Sequence, residues 1–212
     1  MTNVDIIALQ KIKNDTEVAI AKFEREYKEL HEPHWIEPFS EDLLKIKQPH
    51  QNIFIETGTA TGASIESALR AGFKEIYSIE VNPFFCLRAQ NVFKNDPVTI
   101  ISGTSEVELP RLLQKTRLLD EGVFFWLDAH WSGGPFLGEK MEEYLPRELE
   151  CLTQLNQSFD KSSFALDDMG FCNGKEHEPI LNGFKDQLKK IKQNAKPELY
   201  YSKTEHIYLT SC

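Results

Sequence analysis

Residues 52–82 carry the pattern that most constrains how this 212-residue chain can fold. A β-branched and aromatic run, typical of a strand buried on both faces, is followed by a turn containing Gly58 and Gly62, where the backbone must bend sharply. Helix-forming residues come next and end at Gly72, and a second apolar run closes with Glu80. In chain order, the segments are 53–55, 56–62, 64–71 and 75–80. This order predicts a βαβ unit and therefore an α/β domain.

Glu80 indicates which kind of ligand the turn could bind. It lies about 20 residues beyond the glycines, the offset at which nucleotide-binding βαβ units place a carboxylate that accepts hydrogen bonds from a ribose diol. The turn departs from the dinucleotide fingerprint, because Ala60 stands where that pattern has its middle glycine. We therefore predict a nucleoside-type cofactor at this turn. A purely structural βα turn is the alternative.

The stretch 56–64, ETGTATGAS, resembles the cofactor motif of class I S-adenosylmethionine-dependent methyltransferases. It is most similar to the macrocin-type O-methyltransferases, whose first motif begins Glu-x-Gly-x-x-x-Gly. Dinucleotide oxidoreductases usually lack a carboxylate before the first glycine, so Glu56 favours a cofactor with an amino-acid moiety, whose ammonium group a carboxylate stabilises.

The resemblance implies a Rossmann-like α/β fold. Its sheet would have seven strands, mostly parallel, with helices on both faces and a C-terminal antiparallel hairpin, here 198–203 and 206–210. The methyltransferase-like catalytic domain would span 50–212, and residues 1–49 would form an N-terminal helical extension with a proline-containing loop. That extension would pack on the domain edge, cover the substrate as a lid, or contribute to a homodimer contact.

The resemblance also implies a set of cofactor contacts. Glu56 and the glycine turn would hold the methionine end, Glu80 the ribose, and Ser105 the adenine. Ser105 has a second interpretation, as part of a helix cap before residues 106–119. The complete implied set is Glu56, Gly58, Thr59, Gly62, Ser64, Glu80, Asn82, Ser105 and Asp128.

Acidic residues follow two further predicted strands. The run 123–127, VFFWL, ends at Asp128, and the run 163–166 ends at Asp167 and Asp168. In open parallel sheets, ligands bind beyond the carboxyl ends of the strands. Three carboxylates there would repel one another unless a cation joined them, and the macrocin-type resemblance implies magnesium on Asp128, Asp167 and Asp168. The alternative is that one acid of the pair caps the next segment and points away.

The macrocin-type pattern after the fourth strand is Asp-x-Asp, whereas this chain has Asp128, Ala129 and His130. His130 replaces the second acid, so either Asp128 or His130 is the candidate catalytic base. A group of bacterial methyltransferase-like proteins has a comparable Asp-Ala-His-x-Ser-Gly-Gly stretch.

Composition limits the partners. A net charge of −9 disfavours nucleic acid, and four widely spaced cysteines fit reduced thiols better than disulfides or a zinc site. We see no signal peptide and no long apolar span, so we expect a cytoplasmic protein without a membrane partner.

Taken together, the sequence predicts methyl transfer from S-adenosylmethionine to a hydroxyl of a small molecule, a sugar or a secondary metabolite, assisted by a divalent cation. One alternative is a non-catalytic binding module that keeps the same fold. The other is a nucleotide-cofactor oxidoreductase, against which Ala60, Glu56 and the predicted hairpin count.

Overall fold

The computed structural model describes residues 13–22, 46–114, 116–129, 141–155, 158–166, 178–192, 197–201 and 206–210. The chain divides into two compact units, residues 1–37 and 38–212. In the first unit, residues 13–22 are helical, as the sequence predicts, and Val18 is exposed. The proline-containing loop lies outside the described residues, and the domain boundary at residue 50 stays a prediction. Within the described part of the chain, no helix is long and apolar enough to cross a membrane.

The second unit is built on one sheet with the strand order β3-β2-β1-β4-β5-β7-β6. The strands are β1 Ile53–Thr57, β2 Glu75–Glu80, β3 Val98–Ser102, β4 Val123–Leu127, β5 Ser163–Leu166, β6 Pro197–Tyr201 and β7 His206–Thr210. The first five are parallel, and β7 runs antiparallel to both β5 and β6. The strand order reverses at β1, with β2 and β3 on one side and β4 and β5 on the other, so β1 and β4 flank the switch point at which open α/β sheets bind ligands.

Helices cover both faces of the sheet. They are α1 Ala63–Arg70, α2 Pro83–Val92, α3 Ser105–Leu113, α4 Thr116–Asp120, α5 Met141–Thr153 and α6 Glu178–Ile191. Helices α1 and α2 pack on one face through residues such as Ile65 and Ala89. Helices α3 to α6 pack on the other face, for example through Leu109, Leu149 and Phe184. The predicted Rossmann-like parallel sheet with helices on both faces is confirmed.

Strand β4 is the fourth of the seven strands, and every one of its residues is buried, as its uninterrupted apolar sequence predicts. Phe125 stacks on Phe164 of β5 with ring centroids 4.7 Å apart, on the face covered by α3 to α6. Phe124 stacks on Phe54 of β1 at 5.9 Å, on the opposite face. Full burial of each such side chain contributes roughly 1.5–3 kcal/mol to the free energy of unfolding. Because Phe124 and Phe125 lie in different clusters, β4 contributes to the hydrophobic cores on both faces of the sheet.

Three predicted elements differ from the structure by two residues or more. The first hairpin strand, predicted at 198–203, is β6 Pro197–Tyr201. Strand β1 continues through Glu56 and Thr57, which the sequence placed in the turn, because both pair with β2 and with β4. The segment 106–119, predicted as one helix, is two helices, α3 and α4. Helix α3 ends with the N–H of Gln114 donating to the carbonyl of Pro110.

Candidate functional site

The turn between β1 and α1 lies against the end of β4. Gly58 has φ +85°, and its N–H donates to the carbonyl of Ile79 at 2.8 Å. A Cβ at Gly58 would overlap the backbone oxygen of Asp128 and lie 2.9 Å from its carbonyl carbon. Gly62 has φ +83°, and a Cβ there would lie 2.7 Å from the ring of Phe93. Both positions therefore require glycine, for backbone conformation and for space.

Glu80 is fixed to this turn by backbone groups. Its Oε2 accepts a hydrogen bond from the N–H of Ala60 at 3.0 Å, and its Oε1 accepts one from the N–H of Asn82 at 2.7 Å. The side chain of Asn82 caps α2, because its Oδ1 accepts a hydrogen bond from the N–H of Phe84 at 2.9 Å. Each Glu80 oxygen keeps acceptor capacity beyond these bonds, so the carboxylate is oriented and still able to accept a pair of hydroxyls.

Glu56 lies beneath the turn, with no exposed surface. Its Oε2 accepts a hydrogen bond from the hydroxyl of Ser64, and its Oε1 accepts one from Ser78, which also contacts the hydroxyl of Thr59. Burial raises the pKa of Glu56 to about 8; the two serine hydroxyls oppose that rise, and the charge of Glu80 adds to it. Glu56 itself is not exposed, but it is hydrogen-bonded to Ser64, which is half-buried and partly accessible to a ligand.

The predicted contact Thr59 is buried in the turn, and its role as a cofactor contact stays a prediction. Its side chain is 1% exposed and faces Ser78 of β2. Sequence reasoning missed Ser78. A signal was available, because Ser78 stands two residues before Glu80 and so faces the same side of β2.

Arg88 was also missed. It lies on α2, and its Nη1 donates to the carbonyl of Thr61 at 2.6 Å. Helix α2 is therefore bonded to the glycine turn through Arg88.

Asp128 directly follows β4 and is half-buried. Its N–H lies 3.1 Å from the carbonyl of Thr57 and 3.2 Å from the Thr57 hydroxyl, which accept a shared hydrogen bond. Together with the close approach of Gly58, these bonds hold the start of the post-β4 segment beside the turn. The backbone of Asp128 thus lies beside Gly58, another of the predicted cofactor contacts.

The rest of the predicted catalytic and metal set, His130, Asp167 and Asp168, lies outside the described residues. Strands β4 and β5 are parallel neighbours, with Leu127 opposite Leu166, so the strands that precede Asp128 and Asp167 end side by side. Among the described residues, no group of three His, Cys, Asp or Glu side chains could hold a metal. The three-carboxylate site therefore stays a prediction.

Ser105, the predicted adenine contact, begins α3 and is 2% exposed. Its N–H donates to the hydroxyl of Tyr144 on α5 at 3.2 Å, and the two hydroxyls are also hydrogen-bonded. Burial, with the negative charge of Glu148 next in size, raises the pKa of Tyr144 to about 12, so its phenol keeps its proton. The side chain of Thr104, the N-cap residue, makes no capping hydrogen bond. Tyr144 therefore performs the capping that the sequence assigned to a nearby Ser or Thr.

Comparison with known proteins gives the class of fold. No protein-family model matches the chain, and no curated protein sequence matches it. Solved structures do match. The SAH-bound methyltransferase PaMTH1 from Podospora anserina aligns over 100% of this chain and 97% of its own, with TM-score 0.55 and 15% identity. An O-methyltransferase from Bacillus cereus in complex with SAH aligns over 93% and 91%, with TM-score 0.53 and 15% identity.

A third similar structure is a ribosomal protein L11 methylase from Lactobacillus delbrueckii subsp. bulgaricus. It covers 85% of this chain and 80% of its own, with TM-score 0.50 and 10% identity. The chain therefore has the Rossmann-like fold of class I S-adenosylmethionine-dependent methyltransferases. The names of two of these structures, a ribosomal protein L11 methylase and an O-methyltransferase, indicate different acceptors. The fold therefore does not define the acceptor, and the macrocin-type assignment stays a prediction.

Proposed function

We propose that this protein transfers a methyl group from S-adenosylmethionine to a hydroxyl of a small molecule. The observation that carries the proposal is the Glu80 carboxylate, which the backbone N–H groups of Ala60 and Asn82 orient at the glycine turn. The seven-stranded sheet with its antiparallel β6–β7 pair, and the likeness to an O-methyltransferase in complex with SAH, support it.

The described residues fit this cofactor. Glu80 presents acceptor atoms for the two ribose hydroxyls, and Gly58 lets the backbone of Asp128 at the end of β4 lie close against the turn. The half-buried hydroxyl of Ser64, backed by Glu56, suits a charged amino-acid end. When bound, S-adenosylmethionine supplies a methyl group on a positively charged sulfur, so the protein's main task is to align the acceptor and accept its proton.

In this proposal, a residue of the segment after β4 accepts the proton of the acceptor hydroxyl. Asp128 is held beside Gly58 by the hydrogen bond that its N–H shares between the two oxygens of Thr57, so its carboxylate extends from a fixed backbone position next to the glycine turn. Asp128 or His130 would accept the hydroxyl proton. Asp128, Asp167 and Asp168 would hold a magnesium ion, which would lower the pKa of the acceptor hydroxyl.

Titration calorimetry tests the proposal. S-adenosylmethionine should bind with micromolar affinity with or without magnesium, and NADH should not bind. Glu80→Ala should weaken binding at least tenfold, since two hydroxyls lose their charged acceptor. The matched control is Glu66→Gln, because Glu66 is an exposed residue of α1 in an i,i+4 pair with Arg70. Binding of NADH in place of S-adenosylmethionine would overturn the proposed function. Equal affinity of wild type and Glu80→Ala for S-adenosylmethionine would overturn the role of Glu80.

A further inference from the structure

A continuous hydrogen-bonded chain of four side chains runs under the glycine turn. It links Ser64 on α1 to Glu56 on β1, then to Ser78 on β2, and ends at Thr59 in the turn itself. Glu56 and Ser78 are directly opposite in the β1–β2 register, and Glu56, Ser78 and Thr59 are at most 1% exposed. The chain therefore connects three elements of the candidate site without any contact with bulk water at its centre.

The donor count fixes the direction of this chain. An ionised Glu56 accepts only, so Ser64 and Ser78 must each donate to it. Ser78 has then used its single proton, and the bond between Ser78 and Thr59 must be donated by Thr59. If Glu56 is protonated, one serine must turn and accept. If Ser78 is the serine that turns, its proton becomes available to Thr59, and the state of the carboxyl group is then transmitted to the hydroxyl of the turn.

Resting on the proposed function, we infer that Ser78 is a positioning residue that holds Glu56 so that the turn selects a ligand with a cationic amino-acid end. Ser78 is fully buried and its hydroxyl is bonded to Glu56 and Thr59, so it would act on a bound cofactor through those two residues. Its hydroxyl supplies one of the two donors that stabilise the ionised carboxylate. Removing that donor raises the free-energy cost of ionising Glu56, and only a ligand that needs the negative charge is affected.

The charged surroundings of Glu56 agree with this assignment. Burial disfavours the ionisation of Glu56 most strongly and raises its pKa to about 8, and the charge of Glu80 on β2 adds to that rise. From α1, Glu56 meets the neutral Ser64, and on β4 its register partner is Trp126. In the described part of the chain, no cation makes an ion pair with Glu56. An incoming ammonium group is the charge that would ionise it, and the proton released passes to the buffer.

The test compares two ligands by calorimetry. S-adenosylmethionine has the amino-acid end, and 5′-methylthioadenosine has the same nucleoside without it. Ser78→Ala should weaken the binding of S-adenosylmethionine roughly tenfold and change the affinity for 5′-methylthioadenosine less than about twofold. Ser78→Thr, which keeps a hydroxyl, should restore most of the loss. The matched control is Ser67→Ala, which removes a fully buried hydroxyl that donates to the carbonyl of Ala63 in the same helix as Ser64.

A second measurement needs no variant. Titrations of the wild-type protein at pH 6.5 in buffers of different ionisation enthalpy count the protons released, at a pH where the ligand's amino group is itself protonated. S-adenosylmethionine should release close to one proton and 5′-methylthioadenosine none. Equal weakening of both ligands by Ser78→Ala, or no proton release, would overturn the inference while leaving the proposed function intact. Failure of S-adenosylmethionine to bind the wild type would overturn both.

Discussion

Glu56→Gln should make the folded protein more stable at alkaline pH and leave its stability near pH 5 almost unchanged. Burial raises the pKa of Glu56 from 4.5 to about 8, so the folded state binds the proton more tightly than the unfolded chain. The stability that this group contributes is fully present below about pH 4.5 and is lost as the pH rises to about 8. Glutamine has nearly the same shape and no charge, so the variant avoids that loss.

The size of the effect follows from the same shift. At about 1.4 kcal/mol per pKa unit, ionising Glu56 in the folded state costs on the order of 5 kcal/mol. This is an upper value, because the surrounding protein relaxes around a buried charge. Even half of it is a large share of the roughly 5–15 kcal/mol that keeps a domain folded.

Urea unfolding at pH 5, 7 and 9, followed by tryptophan fluorescence, measures the difference. The free energy of unfolding of Glu56→Gln, relative to wild type, should rise steadily between pH 5 and pH 8 and then level off. Glu66→Gln on α1, which removes a half-exposed carboxylate, should show no such rise. Parallel pH curves for wild type and Glu56→Gln would refute the reasoning, since they would mean that Glu56 ionises in the folded protein at its ordinary pKa.

The remaining predictions concern backbone fit and helix capping. Gly58→Ala should lower the free energy of unfolding by at least about 2 kcal/mol more than Gly72→Ala does. Both glycines have positive φ, but nothing lies within 4 Å of a Cβ at Gly72. Equal losses in urea unfolding would show that the close approach at Gly58 is relieved cheaply. Tyr144→Phe should lower the free energy of unfolding by roughly 1–3 kcal/mol, because the buried N–H of Ser105 loses its acceptor. Tyr77→Phe, which removes a bond to a partly buried carboxylate, should cost less, and an equal cost would contradict the capping role.

Strands are the elements that the sequence predicted best. The bounds of β4 and β5 agree residue for residue with the runs 123–127 and 163–166, because five and four uninterrupted apolar or small residues with polar ends allow little else. Strand β1 was predicted too short, since Glu56 and Thr57 are polar. Only the pairing with β2 and β4 on both sides, which is a tertiary property, keeps them in the strand.

Part of the candidate site could be predicted from spacing and part could not. The position of Glu80 beside the glycine turn followed from its distance along the chain to the glycines, because a βαβ unit has a nearly fixed length. The bond between Thr59 and Ser78 depends on the register of β1 against β2, and the bond between Ser105 and Tyr144 on how α5 packs against α3. Neither register nor helix packing is encoded in a local pattern, so the partners of both residues were missed.

The strand order β5-β7-β6 has a consequence for the integrity of the sheet. Strand β6 precedes β7 in the chain, yet its pairing within the sheet is with β7 alone. A proteolytic cut or substitution that detaches residues 206–210 would therefore release β6 as well and uncover the backbone edge of β5. An unpaired edge next to a fully buried apolar strand is a template for pairing with other chains, so damage to this one strand would favour aggregation.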